Sequence, residues 1–399
     1  MTTVSGECWA CGADSLTPIF TVDGLALSSL VLVDDRSEAV DFPRGDLRLV
    51  VCPTCGFIFN HSFRPELVDY TMPYESSQVF SRRFRQFADE LIDHLVEDYE
   101  LPGKQILEIG CGDASFLQAL CRRAGASGFG IDPTYDQSKI EDEGDVTGVA
   151  EFFDAEHTHL TGDLICCRHT LEHIQPVAEF VSLVRESAQR RPDSIVFFEL
   201  PDTERILAEG AFWDVYNEHC SYFTLTSLCN LFRSRGFEVL RLAKGFDGQY
   251  LLIDSKVGNF DTSIDRRAVD IVVGKAEQFG DNARREIEIW QEMLDAAHSQ
   301  GRRVVLWGAS SKAVAFLAAV DRTDAVSAAV DINPFKQKKF LPGSGVSVIA
   351  PEVLTELSPD LVIIMNPVYR AEITTNLDDL GLRPQIYALG DQLVTGAYS

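Results

Sequence analysis

The sequence has little positive charge and no long apolar run. Its 399 residues include 35 lysines and arginines against 61 aspartates and glutamates, which gives a net charge of -26 at neutral pH. Such an acidic chain is a poor general partner for nucleic acid or for an anionic membrane. Apolar runs such as residues 361–365 have only the length of a strand, so we expect no membrane-spanning helix. The first twelve residues lack both a basic patch and an apolar run, and we expect no signal peptide.

The cysteines do not form a disulfide framework. Of the ten cysteines, four fall in a paired pattern and the others are scattered through apparent core strands and helices. This usage fits a reducing cytoplasm. The composition, with 45% hydrophobic and 24% charged residues, is that of a soluble globular protein. The length exceeds one ordinary core, so we expect two or three domains.

Two C-x-x-C pairs near the N-terminus predict a metal site. The four cysteines are Cys8, Cys11, Cys52 and Cys55. Each pair has the turn length that lets two thiolates reach one tetrahedral ion, and four sulfur ligands leave no open position for water. The sequence therefore predicts a structural zinc, with two chance buried pairs as the alternative. The many aspartates between the pairs argue against a surface that reads phosphates.

Residues 104–113, KQILEIGCGD, indicate a cofactor site built from a strand, a tight turn and a helix. Gly110 and Gly112 let the backbone pass close under a ligand, and the amides at the helix start favour electron-rich groups. The same arrangement opens a dinucleotide-binding unit, so the turn alone is ambiguous. Glu108 ends the strand, and its carboxylate suits the ammonium of S-adenosylmethionine and would repel a pyrophosphate.

A second acidic strand end strengthens this interpretation. Asp132 ends the strand SGFGIDP at 127–133, about twenty residues beyond the glycines, where a carboxylate can accept both ribose hydroxyls. Phe152 or Phe153 is a candidate to flank the adenine, with a place in the core as the alternative. The candidate cofactor contacts are Glu108, Gly110, Gly112, Asp132, Pro133, Phe152, Phe153 and His169. His169 also forms a pair with His173 at metal-ligand spacing, but the sequence offers no third ligand nearby.

The stretch WDVYNEHCSYFT, residues 213–224, carries the densest chemistry in the chain. It supplies four candidate catalytic side chains, Tyr216, Glu218, His219 and Tyr222. Each of them can move a proton or hold an oxygen. An aromatic loop that packs on the sheet is the alternative. His173 follows the fourth strand, and Tyr74 lies in a loop before the cofactor domain, so both are further candidates, with a structural role open for Tyr74.

A second α/β unit follows a helical stretch over residues 262–300. Its first strand lies within residues 302–310, where a glycine follows the strand, and a helix that begins at Ser310 or Ser311 makes an anion-binding terminus. Four lysines accompany it, Lys312, Lys336, Lys338 and Lys339. In so acidic a chain they are a candidate pyrophosphate site, with a solvated charged loop as the alternative.

Together, the cysteine pairs, LEIGCGD, YNEHCSYFT and NPFKQKKFLPG resemble the sugar C-methyltransferases of deoxysugar biosynthesis, and the resemblance spans nearly the whole chain. It implies an α/β protein in four parts: an N-terminal zinc-binding module (1–70), a central class I methyltransferase Rossmann-like domain (71–255), a helical bridge (256–300) and a C-terminal Rossmann-like substrate-binding domain (301–399). The implied cofactors are S-adenosylmethionine and a structural zinc ion.

The resemblance also implies the reaction. A methyl group would be added to the carbon beside the ketone of a nucleotide-linked 4-keto sugar, with Tyr216, Glu218 and His219 facing the sugar. Such a carbon must lose a proton before it attacks the methyl group. His219 is our first choice of base because its unperturbed pKa is about 6.5. Glu218 could orient it or act as the base, and Tyr216 or Tyr222 could donate to the enolate oxygen.

Two other functions remain open from the sequence. One is an O- or N-methyltransferase that acts on a non-nucleotide small metabolite. The other is a zinc-ribbon binding protein that uses the cofactor domain as a sensor. In either case we expect a small-molecule partner, no nucleic acid or membrane partner, a cytoplasmic location and a monomer or weak homo-oligomer.

Overall fold

The computed structural model describes residues 4–70, 78, 80–140, 145–258 and 263–392. The described residues form three β-sheets that follow one another along the chain. The N-terminal elements are β1 (Val4–Ser5), β2 (Ser15–Ala26), α1 (Arg36–Val40), β3 (Arg44–Val51) and β4 (Ile58–Asn60). These four strands pair antiparallel in chain order, and the turn between β3 and β4 holds the second cysteine pair.

The central domain is a mixed seven-stranded sheet with helices between its strands. Its elements are α2 (Arg82–Asp98), β5 (Gln105–Ile109), α3 (Ser115–Ala124), β6 (Ser127–Ile131), β7 (Val146–Val149), β8 (Leu164–Arg168), α4 (Val177–Gln189), β9 (Ile195–Pro201), α5 (Thr203–Glu209), β10 (Ser221–Tyr222), α6 (Leu225–Ser234), β11 (Phe237–Gly245) and β12 (Tyr250–Val257). The sheet order is β11-β12-β9-β8-β5-β6-β7. Strands β5 to β9 run parallel, and β12 lies antiparallel to both β9 and β11. The sheet therefore ends in the antiparallel hairpin β11–β12.

Helix α2 illustrates why the sequence folds this way. Ser81 caps its first turn by accepting a hydrogen bond from the Phe84 backbone N–H at 3.2 Å. Its buried residues lie three or four apart on one face: Phe87, Leu91, Ile92 and Leu95. This face packs on α3 and the central sheet, so the α2 end of the domain is held by apolar burial.

One uninterrupted helix, α7 (Arg266–Ser299, 34 residues), connects the central domain to the C-terminal unit. The sequence predicted one or two helices here, and the structure has one. In its first half, Phe279 meets Phe20 of β2 with ring centroids 5.1 Å apart. In its second half, Trp290 meets Phe316 at 5.4 Å. The helix therefore joins the N-terminal sheet and the C-terminal unit through one hydrophobic cluster.

The C-terminal unit is a five-stranded parallel sheet. Its elements are β13 (Val304–Trp307), α8 (Ser311–Val320), β14 (Val326–Val330), β15 (Val348–Ile349), α9 (Leu354–Leu357), β16 (Leu361–Ile364), α10 (Arg370–Asp379) and β17 (Gln385–Ala388). The order is β15-β14-β13-β16-β17, so the strand order reverses at β13: strands β14 and β15 lie on one side of it, and β16 and β17 lie on the other. Ligands bind at such a reversal in open α/β sheets, outside the carboxyl ends of the strands.

The short strand β10 does not join the central sheet. It pairs antiparallel with β4 and becomes the fifth strand of the N-terminal sheet. The sheet thus crosses the boundary at residue 70 that the sequence suggested, and the boundaries at 70, 255 and 300 remain predictions. Within the residues that the structure describes, no helix is both long and apolar enough to cross a bilayer.

Candidate active site

One cavity of about 1040 Å³ opens between the three sheets. Residues from every part of the chain line it, among them Ser28, Leu30, Glu108, Asp132, His219, Ser311 and Asp331. The cofactor turn, the 213–224 loop and the start of α8 therefore face one shared space. The sequence placed these three features far apart along the chain, and the fold brings them together.

The turn after β5 has a backbone that only glycine fits well. Gly110 has a φ of +72°, and a Cβ built on it would lie 2.0 Å from Oγ1 of Thr170. Gly112 also has a positive φ, +55°, but a Cβ there would meet nothing within 4 Å. Gly110 is therefore required both by its backbone conformation and by the close approach of Thr170.

Two acidic residues stand at the ends of β5 and β6, as the sequence predicted. Glu108 is 2% exposed, and its Oε2 has no hydrogen-bond partner among the described residues. Burial raises the pKa of Glu108 to about 8, although Arg168 acts in the opposite direction. Asp132 is also buried, and its Oδ1 accepts hydrogen bonds from the backbone and the hydroxyl of Thr134, at 2.7 and 2.6 Å. A buried, unpartnered carboxylate oxygen is a fitting acceptor for the ammonium group of a ligand.

The other candidate cofactor contacts also line the cavity, in different environments. Pro133 follows Asp132, and the side chain of Phe152 is 55% exposed. Phe153 is half-buried and packs on Phe180 with ring centroids 6.1 Å apart. Phe152 is therefore the ring that a ligand could cover, while Phe153 belongs partly to the core.

His169 lies in a buried ionic cluster at the end of β8. Its φ is +49°, its Nε2 lies 2.9 Å from Glu199, and its Nδ1 lies 3.6 Å from Glu172. Burial would lower the pKa of His169, but Glu199 and Glu172 outweigh it and raise the pKa to about 9. Both ring nitrogens of His169 thus face carboxylates, and we assign the ring a positive charge at neutral pH.

Arg168 completes this cluster and was missed from the sequence. Its Nε donates to Glu199 at 2.7 Å, and its guanidinium lies 3.7 Å from the ring centroid of Phe116. Arg168 and His169 together lower the pKa of Glu199 to about 2, against the effect of burial. The strand-end argument that identified Glu108 and Asp132 would also have identified Arg168, because it is the last residue of β8.

The loop after α5 brings three of its predicted side chains to the cavity: Tyr216, Glu218 and His219. The rings of Tyr216 and His219 lie 4.3 Å apart. Burial lowers the pKa of His219 well below its usual value, and the nearby His173 and His169 add to this effect. His219 is therefore a neutral imidazole that can accept a proton, but its lowered pKa makes it a weaker base than the unperturbed ring that the sequence interpretation assumed.

Glu218 is held by Ser29, a residue of the loop between β2 and α1. Its Oε1 accepts the backbone N–H of Ser29 at 2.8 Å and also the Ser29 hydroxyl. Burial raises the pKa of Glu218 to about 7, while Ser29 works to lower it. Ser29 lies 189 residues before Glu218, and no signal in the sequence could have paired them.

Two predicted catalytic tyrosines have other outcomes. The hydroxyl of Tyr222 donates to the backbone carbonyl of Tyr216 at 3.2 Å, and the side chain does not line the cavity. Its contacts indicate that Tyr222 stabilises the conformation of the loop. Tyr74 lies outside the described residues.

His173 and His219 form a pair, with ring centroids 4.7 Å apart. Glu172 stands beside them, and the ligand atoms of the three residues lie within 4.8 Å of one another. His173 Nδ1 lies 3.0 Å from the backbone carbonyl of Glu218. Because a carbonyl oxygen only accepts, His173 carries its proton on Nδ1 and offers Nε2 as an acceptor. We interpret the group as one that handles protons, and we assign no metal ion to it.

The four lysines do not act as one cluster. Lys312 is ion-paired with buried Asp214, which also accepts Arg205 at 2.5 Å. Lys336 is buried and lies 3.5 Å from Asp331. Lys338 and Lys339 do not line the cavity. The predicted pyrophosphate site is therefore reduced to Lys312 and Lys336, both already beside a carboxylate.

The C-terminal strand ends supply polar groups that the sequence interpretation missed. Asp331 follows β14 and accepts the backbone N–H groups of Ala309 and Asn333, both at 2.9 Å. The Nδ2 of Asn333 is buried without a partner among the described residues, and Phe335 is 65% exposed beside it. Asp331 stands where Asp132 stands in the central sheet, so the same rule would have predicted it.

The four N-terminal cysteines converge as predicted. The sulfur atoms of Cys8 and Cys55 are 3.6 Å apart, and those of Cys11 and Cys52 are 3.7 Å apart. All four lie within 4.8 Å of one another. This crowding, with Cys11 and Cys52 as the main contributors, raises the pKa of Cys8 and Cys55. Four converging sulfurs suit a tetrahedral metal ion.

The fold and the site define the class of protein. A sheet in the order β7-β6-β5-β8-β9-β12-β11, with a glycine turn after the first strand and carboxylates ending the first two, is that of an S-adenosylmethionine-dependent methyltransferase. The cofactor lies at the carboxyl ends of the strands in such sheets.

Comparisons with known proteins specify the class further. Residues 79–242 match the family model of a methyltransferase domain, and residues 272–383 match that of a C-methyltransferase C-terminal domain. The C-methyltransferase NovU of Streptomyces niveus is 27% identical, over 93% of this chain and 91% of that protein. These matches support an S-adenosylmethionine-dependent C-methyltransferase, and the chain is similar to proteins of that class.

Similar solved structures cover less than half of the chain. An O-methyltransferase family protein from Burkholderia thailandensis has a TM-score of 0.36 and 15% identity, over 44% of this chain and 57% of that one. The magnesium protoporphyrin IX methyltransferase of Synechocystis has a TM-score of 0.35 and 16% identity, over 48% of this chain and 91% of that one.

Proposed function

We propose that the protein methylates the carbon beside the ketone of a nucleotide-linked 4-keto deoxysugar. The observation that carries the proposal is that neutral His219, with Tyr216 and Glu218, shares one cavity with the cofactor turn and with the strand ends of a second Rossmann-like sheet. A C-methyltransferase needs a base for a carbon acid, and a nucleotide-linked substrate needs a second nucleotide site.

The central strand ends are suited to hold S-adenosylmethionine. Glu108 offers an unpartnered buried oxygen to the ammonium group, and Asp132 is placed for the ribose hydroxyls. Open space lies beside Gly112, where a Cβ would meet nothing within 4 Å, so a ligand can approach the backbone of the turn there. When bound, the cofactor supplies an electrophilic methyl group, whose bond to sulfur breaks as the new carbon–carbon bond forms.

The 213–224 loop would carry the proton chemistry. His219 accepts the proton from the carbon beside the ketone, because its buried ring is neutral at physiological pH. Burial raises the pKa of Tyr216 well above its usual value, so its phenol stays protonated and can donate to the enolate oxygen. His173 lies beside His219 and supplies a second imidazole for the same proton.

The nucleotide half would lie against the C-terminal sheet. Asp331 is in the position of a ribose-binding carboxylate, and the exposed ring of Phe335 is available for a base to stack on. Helix α8 begins at Ser311, and Ser310 makes no side-chain capping bond, which leaves its first amides for a phosphate.

A second candidate function is O- or N-methylation of a non-nucleotide metabolite. It is favoured by the engagement of Lys312 with Asp214 and of Lys336 with Asp331, since neither lysine offers a free charge to a pyrophosphate. The acid-lined cofactor turn would be unchanged under this alternative.

One experiment separates the two functions. The protein is incubated with S-adenosylmethionine and a panel of 4-keto nucleotide sugars, and any new methyl group is located by NMR. We expect a methyl on the carbon next to the ketone. A methyl on oxygen or nitrogen, or transfer only to acceptors without a nucleotide, would reject the proposal in favour of the second candidate.

We also propose that the four cysteines bind one structural zinc ion in a reducing cytoplasm. Their four sulfurs leave no ligand position for a substrate or water, so the ion would hold the module rather than take part in chemistry. Metal analysis of the purified protein should give about one zinc per chain. A Cys11→Ser variant should lose the metal, and a wild-type protein without zinc would reject the assignment.

A further inference from the structure

The N-terminal module does more than precede the methyltransferase domain, because it contacts the catalytic loop at the backbone. Strand β10 pairs with β4, with Ser221 opposite Phe59 and Tyr222 opposite Ile58. The backbone N–H of Asn60 donates to the carbonyl of Cys220 at 2.9 Å. The loop that carries Glu218 and His219 therefore ends as a strand of the module's own sheet.

The pairing is close to the cysteine site. Strand β4 begins three residues after Cys55. Phe57 directly precedes β4 and Phe223 directly follows β10, and their rings lie 5.1 Å apart at that end of the strand pair. On the other side of Glu218, the side chain of Asn217 packs so tightly on β3 that a Cβ on Gly45 would lie 2.8 Å from its Nδ2. The module thus contacts the loop both before and after Glu218 in the sequence.

The most direct contact is made by Ser29. This residue is fully buried, and both its backbone N–H, at 2.8 Å, and its hydroxyl donate to Oε1 of Glu218. The other carboxylate oxygen, Oε2, is buried without a partner among the described residues, while Glu218 lines the cavity. Oε1 is therefore hydrogen-bonded to Ser29, and Oε2 is left to bond a group in the cavity.

We propose that Ser29 is a positioning residue that acts through Glu218, and that the cysteine module holds this contact in place through the β4–β10 pair. Two donors on one oxygen fix the orientation of the carboxylate and favour its charged form. Glu218 can then present Oε2 to the substrate or to the proton that His219 accepts. The catalytic role of Glu218 in this inference rests on the proposed function, whereas the contact between Ser29 and Glu218 does not.

Most phenols and imidazoles around Glu218 titrate away from neutral pH, and Glu108, whose pKa is raised to about 8, lies at the cofactor turn of the same cavity. The phenols of Tyr70, Tyr216 and Tyr222 and the imidazoles of His173 and His219 face this loop. Burial raises the pKa of Tyr216 and Tyr222 and lowers that of His173 and His219. A change in the charge of Glu218 can therefore be followed without interference from these four groups.

The test is Ser29→Ala, with Ser62→Ala as its matched control. Ser62 lies in the same module, and its hydroxyl contacts the backbone of Asp46 at 2.7 Å and Oδ1 of Asn60 at 2.9 Å, so it makes no hydrogen bond to Glu218 itself. The pKa of Glu218 is measured by carbon-13 NMR of labelled glutamate, with its signal assigned by its loss in Glu218→Gln. Without the hydroxyl, we expect this pKa to rise by ~1 to 2 pH units, as for a lost hydrogen bond to a charged group.

Turnover supplies the second measurement. In Ser29→Ala, we expect the kcat of methylation at pH 7 to fall ~10-fold, with the pH profile moved upward and the affinity for S-adenosylhomocysteine unchanged. Ser29→Cys keeps a side chain of similar size but supplies only a weak donor. The pKa of Glu218 in this variant should therefore lie between its values in the wild type and in Ser29→Ala. Ser29→Cys replaces Ser29→Ala if the alanine variant does not fold.

Two results would overturn the proposal. An unchanged pKa of Glu218 in Ser29→Ala would mean that Ser29 does not hold the carboxylate. A raised pKa with unchanged kcat and pH profile would mean that the contact has no part in catalysis. If the wild type methylates no 4-keto nucleotide sugar, the proposed function fails, while the NMR titration still decides the contact between Ser29 and Glu218.

Discussion

Gly110 and Gly112 offer a sharp test of the cofactor turn, because they share a backbone conformation and differ in their surroundings. Both have a positive φ, so replacing either with alanine should cost ~1 to 2 kcal/mol in backbone strain. Only at Gly110 would the new Cβ lie 2.0 Å from Thr170 Oγ1. Relief of that overlap requires a shift of the turn or of Thr170, which should cost a further ~1 to 3 kcal/mol.

The assay is urea denaturation followed by tryptophan fluorescence, with calorimetric titration of S-adenosylhomocysteine as a second measurement. We expect Gly110→Ala to lose more stability than Gly112→Ala by the cost of the overlap, and to bind the ligand more weakly. Adding Thr170→Ala removes the two nearest atoms, Oγ1 and Cγ2, at the expense of its own hydrogen bond to the Arg168 carbonyl. The double variant should therefore cost ~1 to 3 kcal/mol less than the sum of the two single changes.

Equal losses of unfolding free energy for Gly110→Ala and Gly112→Ala would refute this reasoning, because the overlap with Thr170 would then contribute nothing to stability. Strict additivity with Thr170→Ala would also refute it. Either result would mean that the turn is not pressed against the residue that follows β8, and that the space under the cofactor is wider than the structure has it.

Three further predictions concern the buried charges and the base. His219→Asn should slow exchange of the proton beside the substrate ketone by ~100- to 10,000-fold and leave S-adenosylhomocysteine binding intact, and an unchanged exchange rate would remove His219 from the role of base. Asp214→Asn should lower the free energy of unfolding by ~3 to 5 kcal/mol because it leaves Lys312 buried without its partner, and adding Lys312→Met should recover much of the loss. The pKa of His169 is raised to about 9, so its contribution is complete below its ordinary pKa of about 6.5 and is lost as the pH rises through 9. Urea denaturation of the wild type should therefore show a decline over this range that His169→Gln lacks, whereas Glu199, with a pKa of about 2, contributes above its ordinary value and loses stability only as the pH falls towards 2.

Local patterns predicted the elements of this protein well. Strand ends carry cofactor-binding carboxylates in parallel sheets, and Glu108 and Asp132 stand where that rule puts them. The strand, tight turn and helix that residues 104–113 predict are also observed, as β5, the turn at Gly110 and Gly112, and α3. These features depend on neighbours a few residues away, which is what a single sequence contains.

Contacts between distant segments could not be predicted in the same way. The sequence indicates that Lys312 is basic, but only the fold reveals that Asp214, almost a hundred residues earlier, pairs with it. Ser29 is one serine among many until the fold sets it against Glu218. Tyr222 has the chemistry of a catalytic residue, yet its hydroxyl is committed to the backbone of its own loop.

Helix α7 has a consequence for how such chains can vary in length. Its 34 residues span ~51 Å, and each half packs an aromatic residue against a different part of the protein, Phe279 on Phe20 of β2 and Trp290 on Phe316 of α8. Inserting one residue between the two contacts would rotate one anchor by ~100° relative to the other. Relatives that lengthen or shorten this helix should therefore do so by whole numbers of turns, such as seven or eleven residues, since other changes would turn one anchor out of its core.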